Sequence, residues 1–385
     1  MMRWGRWWWV ALWWAGCCSL GMAQAALVER LRKLPVSIGE NTVITRQAGE
    51  SWVDIGIREY VGYAHLRRAN AGNITTAHRL FIPGRHQVPA LTSDGLVVNL
   101  PELMDFRWEN GKVVAWYPIA IGRVTARWNT PEGDLKVISR ISNPTWERPS
   151  WAGGGKMPPG PKNPLGDRWI GLNRPGYGLH GTNDPTSIGR IVSHGCIRHF
   201  PPHIHRLFAQ IRIGMPVIIT YQTVTVGMEG GVIYLAVFPD IYARGSNAPH
   251  NVRHRLASFG LDGALTAPEL ARRIAQADGI ARPLLGSKTK VSVNLHPVDL
   301  PLGPTFKRGT AYLPVSTLAG ALQAQVTWDP ASKTVTLRRG ILHVSFANAG
   351  TFTVLGTHFV PIRDTVESLG GIVLFSRENI QLIVW

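Results

Sequence analysis

The chain has 385 residues, 45% hydrophobic and 17% charged, a balance that suits folded modules and excludes a disordered tail. Its length has room for about two to four domains. With 41 Lys and Arg against 24 Asp and Glu, the formal charge of +17 favours polyanionic surroundings: nucleic acid, anionic lipid or an anionic cell wall.

Residues 1–25 narrow that choice. Arg3 and Arg6 precede an apolar run from Trp7 to Ala15, and Ala23-Gln24-Ala25 follows, which is the plan of a secretory signal peptide. The run is short against the roughly 20 residues of a membrane span. Six tryptophans in the leader keep a retained anchor open, since Trp prefers the membrane interface. Ala15-Gly16-Cys17 resembles the end of a lipobox, although Trp14 stands where an aliphatic residue is usual. Cleavage after Ala25 removes Cys17 and Cys18 and leaves Cys196 as the one thiol, so no intramolecular disulfide is expected. Such a thiol is either a reactive group or an inert small hydrophobe, and its neighbours decide which. Export implies an extracytoplasmic protein, in periplasm or cell wall, that meets a membrane only through an uncleaved leader. It argues against nucleic acid, for which no aromatic-interleaved basic motif is present.

Residues 41–85 read as a small unit. A strand-like Thr42–Thr45 and a turn at Ala48-Gly49 come first, and Leu80–Pro83 closes it. Between them Trp52, Ile55, Ile57, Tyr60 and Leu66 have the spacing of packed short helices. Gly49-Glu50-Ser51-Trp52, Ile55-Gly56, Asn70 and Ile82-Pro83 together resemble a LysM module. The resemblance implies a βααβ fold and a glycan ligand containing N-acetylglucosamine; a packing unit without glycan affinity is the alternative.

Residues 94–222 change character. Leu96–Leu100, Lys112–Ile121, Leu135–Ile141 and Val217–Tyr221 are β-branched runs between Gly and Pro punctuation, which predicts a mainly β domain. Pro158–Pro164 is a loop by composition. Residues 223–288 read as a connector or extra subdomain, in which Leu265–Ala277, opened by Thr266-Ala-Pro-Glu, is a capped helix.

The tail, residues 289–385, repeats itself at an offset of 47: Gly309-Thr310-Ala311-Tyr312-Leu313-Pro314-Val315 answers Gly356-Thr357-His358-Phe359-Val360-Pro361-Ile362. Leu322 then meets Leu369, Val335 meets Leu382 and Leu337 meets Val384 without a gap. Each copy predicts a strand, a helix (Val315–Leu322, Ile362–Leu369) and a strand pair. One copy alone would expose an apolar face, so the two are expected to pack as a single α+β domain. The tail resembles the copper-amine-oxidase N-terminal-like domain of bacterial envelope proteins. That name implies no copper here, and binding or spacing is the expected role.

The stretch that carries chemistry runs from Tyr177 through His180-Gly181 to Ser193-His194-Gly195-Cys196-Ile197-Arg198. A thiol attacks only as thiolate, and a neighbouring imidazolium or guanidinium lowers its pKa and supplies a proton carrier. Gly195 lets backbone amides approach a reacting carbonyl as oxyanion donors. A His, about a dozen residues, then Ser-His-Gly-Cys-x-Arg is the pattern of the L,D-transpeptidase (YkuD-like) family. Ile119-Ala-Ile-Gly122, Thr130-Pro131-Glu-Gly133 and Asn163-Pro164-Leu165-Gly166 also resemble segments of that family.

The resemblance implies that Cys196 attacks a tetrapeptide stem of peptidoglycan, releases D-Ala and forms a thioester that a neighbouring amine resolves. Water as acceptor would make an L,D-carboxypeptidase instead. It implies His180 as general base and later acid, with the Gly181 carbonyl fixing its tautomer, although His194 remains an alternative base. His194, Gly195 and Cys196 border the oxyanion site, Arg198 orients the loop or a substrate carboxylate, and Tyr177 and Ser193 lend hydrogen bonds to substrate or structure. Partners are stem peptides and glycan strands, and no cofactor is implied. A zinc site is the rival enzyme reading, because His194, Cys196, His199, His203 and His205 crowd together. Pro201-Pro202 is expected to keep His199 and His203 off one helix face, and His199, His203 and His205 are expected at the surface of a helix over His203–Ile211. A wall-binding protein with an incidental thiol is the non-enzyme reading.

Overall fold

The computed structural model describes residues 22–385 except 92, 126, 348, 349 and 377. Most of the signal-peptide reading falls on residues 1–21, outside the described residues. No helix among the described residues is long and apolar enough to cross a membrane.

The predicted β-rich stretch forms a sheet that closes on itself. The order runs Lys112–Gly122, Ile197–His199, Gly178–His180, Arg168–Leu172, Gly133–Ser142, Pro216–Thr220, Gly95–Asn99 and Met104–Glu109, which pairs back with Lys112–Gly122. Ile191–Ser193 extends the far end of Lys112–Gly122. Period-2 alternation sends every second residue inward, so Leu96, Val98, Tyr117, Ile119, Ile121, Ile170, Leu172, Leu179, Ile197, Val217 and Ile219 share one core. Each such burial is worth about 1.5–3 kcal/mol. The helix Pro201–Gln210 adds Ile204 and Leu207 to that core. Pro201-Pro202 begins this helix instead of interrupting it, because an N-terminal proline lacks only an amide that has no intrahelical partner anyway.

The unit around residues 41–85 runs strand, helix, helix, strand. Asn41–Thr45 pairs antiparallel with Arg79–Pro83, and Trp52–Arg58 and Tyr63–Ala69 lie between them in sequence. Ser51 and Asp54 make a capping box at the first helix, and Ile55, Val61, Leu66, Ile74, Leu80 and Ile82 form the core. The unit is seated on the barrel. Tyr63 and Ala64 donate to the Ile188 and Gly189 carbonyls, and a Cβ on Gly56 would come within 3.0 Å of the Phe200 ring.

Residues 223–288 contribute the middle of a second sheet, ordered Arg282–Leu285, Val232–Val237, Val224–Glu229, Val36–Ile38, His86–Val88. Two of its strands therefore come from either side of the 41–85 unit. The sequence concealed this because Val36 pairs with Met228, a contact no local pattern announces. The helix at residues 22–32 packs Leu27 and Leu31 into the same core. The expected capped helix is present as Ala267–Gln276, opened by a Thr266–Glu269 capping box.

In the tail, Thr310–Pro314 pairs antiparallel with Thr357–Pro361, joining the two copies. Helices Val315–Leu322 and Ile362–Ser368 bury Leu318, Leu322, Ile362 and Val366 in one core with Val335, Leu337, Ile380 and Leu382. The repeats form a single α+β domain.

Candidate active site

The parallel pairing of Gly178–His180 with Ile197–His199 sets Leu179 opposite Ile197 and His180 opposite Arg198. Cys196, one residue before its strand, is level with Gly178, two positions back along the sheet from His180. Cys196 and His180 line a cavity of about 660 Å³ together with Tyr177, Ser193, His194 and Arg198. Seven of the eight sequence-predicted site residues meet there or border it through the backbone, and Gly181 supports it from behind.

His180 is buried. Its Nδ1 lies 2.6 Å from the Gly181 carbonyl, which only accepts, so Nδ1 carries the proton and Nε2 is left basic. Trp169, opposite His180 in the antiparallel register, stacks on the imidazole at 5.8 Å between ring centroids.

Gly195 has φ +109°, and a Cβ there would stand 2.6 Å from the Tyr177 ring, so both backbone and neighbour require glycine. Its amide donates to Ser193 Oγ at 3.1 Å, while Ser193 Oγ donates to the Cys196 carbonyl at 2.6 Å. The Gly195 carbonyl accepts from Thr130 Oγ1 at 2.9 Å. The Gly195 amide is thereby occupied by Ser193. The Cys196 thiol donates weakly to the Gly176 carbonyl at 3.4 Å.

His194 is held between aromatic rings. Trp151, carried by a short 3₁₀ turn at Ser150–Ala152, stacks on it at 3.9 Å, and Trp128 meets it edge-on at 4.7 Å. Arg198 lines the cavity with its Nε buried and unpartnered.

The other three histidines point elsewhere, and two contradict their expected surface placement. His199 is fully buried with Nε2 2.6 Å from Asp105 Oδ2. His203, also buried, donates to the Ile57 carbonyl at 3.0 Å and stacks on Tyr60 at 4.6 Å. His203 fills the seam between the barrel and the 41–85 unit, whereas His199 lies inside the barrel between Asp105 and Tyr117. His205 is exposed and pairs with Asp167.

A family model described as the L,D-transpeptidase catalytic domain matches residues 93–219, and the copper amine oxidase N-terminal domain matches residues 292–348. Over 151 residues the chain is 32% identical to the Bacillus licheniformis protein described as "Putative L,D-transpeptidase YkuD", covering 39% of this chain and 79% of that one. The chain belongs to the L,D-transpeptidase family. A Bacillus subtilis protein described as "Putative L,D-transpeptidase YqjB" is 39% identical over 116 residues, 29% of this chain and 62% of its own, so less than two thirds of that relative is spanned. The NMR structure of the catalytic domain from an E. faecium L,D-transpeptidase aligns with 34% of this chain and 98% of its own, at 23% identity and a TM-score of 0.28.

L,D-transpeptidases are cysteine transferases, and Cys196 is the one free cysteine among the described residues. Its electrostatics differ from the sequence expectation of a thiol lowered by His and Arg. Burial pushes the Cys196 thiol up to about 11, against smaller opposing effects of the Gly178 amide and Arg198. Burial, reinforced by Arg198, pushes the His180 imidazole down to about 3. Desolvation outweighs the neighbouring charges at both groups, and Trp169 covers the imidazole. Both shifts favour a protonated thiol and a neutral imidazole at neutral pH. His194 is also lowered, by partial burial and then by Arg123 and Arg198.

Sequence reasoning missed Trp128, Trp146, Trp151 and Trp169, which wall the cavity. They lie in segments without a distinctive spacing; an unusual Trp density between residues 128 and 169 was the one available signal.

Proposed function

We propose that this chain is an L,D-transpeptidase acting on peptidoglycan through Cys196. The sulfur attacks the amide carbonyl between the L-centre of diaminopimelate and the terminal D-Ala of a tetrapeptide stem. His180 Nε2 takes the thiol proton and passes it to the leaving nitrogen; the C–N bond breaks, D-Ala departs and a thioester remains. An amine of a neighbouring stem then attacks, its proton returns through His180 to sulfur, the C–S bond breaks, and the third residues of two stems are joined.

The observation that carries this reading is His180 itself. With Nδ1–H held by Gly181, only Nε2 is basic, and it belongs to the cavity that also holds Cys196. His194, stacked on Trp151, is the less favoured base. Because Ser193 occupies the Gly195 amide, the oxyanion falls to the His194 and Cys196 amides. Arg198, with its unpartnered Nε, is suited to a stem carboxylate, and Tyr177 forms the wall beside it.

Domain roles extend the proposal. Residues 41–85 act as a LysM-like glycan-binding module, residues 94–222 as the catalytic domain, and the repeat domain at 289–385 as a spacer or binder, all in the extracytoplasmic space. The deciding experiment is mass spectrometry of wall fragments incubated with the protein. Loss of D-Ala with dimer formation is expected. Loss without dimers means an L,D-carboxypeptidase, and no loss leaves a wall-binding protein. For the module, Cys196→Ala protein should sediment with insoluble peptidoglycan and be released by soluble N-acetylglucosamine oligomers; retention despite the oligomers removes the LysM-like role.

A further inference from the structure

The loop that carries Cys196 is tied to a segment outside the matched catalytic region. After Pro216–Thr220 the chain leaves the barrel, builds the hairpin Val224–Glu229 and Val232–Val237, and then returns to the barrel at residues 238–246. There the Tyr242 hydroxyl donates to the Gly122 carbonyl at 3.1 Å and accepts from the Thr130 amide at 3.1 Å. It thereby clips together both ends of the loop between them. That loop folds back so closely that a Cβ on Gly122 would meet the Trp128 carbonyl at 2.0 Å.

Thr130 passes the constraint on. Its Oγ1 accepts from the Gly122 amide and donates to the Gly195 carbonyl, each at 2.9 Å. Gly195 is the residue whose peptide joins to Cys196. Tyr242 is itself anchored: its amide donates to Tyr221 Oη at 2.7 Å, and Tyr221 Oη donates to Asp240 Oδ1 at 2.6 Å. The two tyrosine rings stack at 5.5 Å, and the Arg244 guanidinium lies over Tyr221 while pairing with Glu132. Ala243, next in the chain, holds a left-handed φ of +53°, so the turn is kept against a local conformational cost.

We propose that Tyr242 is a positioning residue for the Cys196 chemistry, its hydroxyl acting through Thr130 to set the orientation of the Gly195–Cys196 peptide. The inference rests on the reaction proposed above. It assigns to residues 238–246 a part in catalysis, so the catalytic machinery extends beyond the matched region. The Gly195–Cys196 peptide plane carries the Cys196 amide available to an oxyanion, and rotating it weakens carbonyl attack without altering the thiol.

Two reactions of the same sulfur separate these effects. Acylation by a muropeptide or a carbapenem passes through an oxyanion; alkylation by iodoacetamide displaces iodide at a saturated carbon and forms none. The full chain, Tyr242→Phe, Thr130→Val and the double variant are compared in both reactions, with thermal unfolding recorded. Tyr242→Phe keeps the stacked ring and removes only the hydroxyl. Expected is about a tenfold fall in the acylation kcat with KM unchanged, because of the two hydrogen bonds lost only the one to Thr130 leads to Gly195. Alkylation should match wild type, and the double variant should be no slower than Thr130→Val. Wild-type acylation by Tyr242→Phe, a parallel fall of acylation and alkylation, or fully additive losses would overturn the inference. A wild-type chain that releases no D-Ala strikes the proposed reaction instead, and the carbapenem arm then still reads the positioning.

Discussion

If the resting Cys196–His180 pair is neutral, the thiol should alkylate slowly at neutral pH. A thiol at about 11 has roughly one part in ten thousand ionised at pH 7, against about one in a hundred at its ordinary value of 9.0. Each pKa unit is about 1.36 kcal/mol, so the buried site opposes thiolate formation by about 3 kcal/mol relative to a free thiol. Iodoacetamide labelling, followed by intact mass, should run about a hundredfold slower than a model thiol and rise about tenfold per pH unit from about pH 7 to about pH 10. His180→Ala should leave that labelling nearly unchanged, because an imidazole at about 3 holds no second proton to share at neutral pH. The same substitution should cut acylation by about a hundredfold or more, since proton transfer is then unassisted in the transition state. A labelling plateau near neutral pH, or alkylation that falls with acylation in His180→Ala, would refute the neutral pair and restore a preformed thiolate–imidazolium.

Gly195→Ala should lower acylation by more than tenfold, because a left-handed φ for a residue with Cβ costs about 1–3 kcal/mol and the new methyl strikes Tyr177. Trimming the ring in Gly195→Ala/Tyr177→Ala should recover little, since the backbone term persists; full recovery would reduce the requirement to space alone. His65, His180 and His203 are buried with pKa values lowered by desolvation, so the unfolded chain binds their protons first as pH falls. Stability present above about pH 6.5 should be lost towards about pH 4 at up to about 1.4 kcal/mol per pH unit for each, opposed by Asp105, whose pKa burial raises. A Tm that stays level between pH 7 and pH 5 in calorimetry would contradict this. Leu337→Ala in the first repeat and Leu382→Ala in the second, both fully buried, should each cost about 2–5 kcal/mol and lower the same unfolding transition. Separate transitions for the two would contradict the shared core.

Local pattern carried the parts of the fold that are built locally. The offset of 47 in the tail predicts two matching strand–helix segments, and Thr310–Pro314 paired with Thr357–Pro361 is the seam between them. Thr266 and Glu269 announce a helix start because a capping box satisfies amides within one turn. The second sheet had no such signature. Val36–Ile38 and His86–Val88 are three-residue strands that pair with each other across the 41–85 unit, and Val36 also pairs with Met228 beyond the barrel sequence, so the sheet is a tertiary property. Pro201-Pro202 separates His199, in the preceding strand, from His203, in the helix it opens, as expected. A proline pair reads as a break, yet at the first turn of a helix it costs no internal hydrogen bond.

At the site, the grouping of residues around one cavity was legible and the direction of their pKa shifts was not. His180, Ser193, His194, Gly195, Cys196 and Arg198 are close in sequence, and a parallel strand pair brings them together. Their charge states depend on what covers them, and the cover comes from Trp128, Trp146, Trp151 and Trp169 in unrelated segments. Ionisation is then best driven by the substrate. A stem carboxylate at Arg198 would offset the positive charge that, after burial, most depresses His180. Binding an anionic stem would raise the imidazole towards the range where it can accept the thiol proton, while unoccupied enzyme keeps its sulfur protonated and protected from alkylation and oxidation.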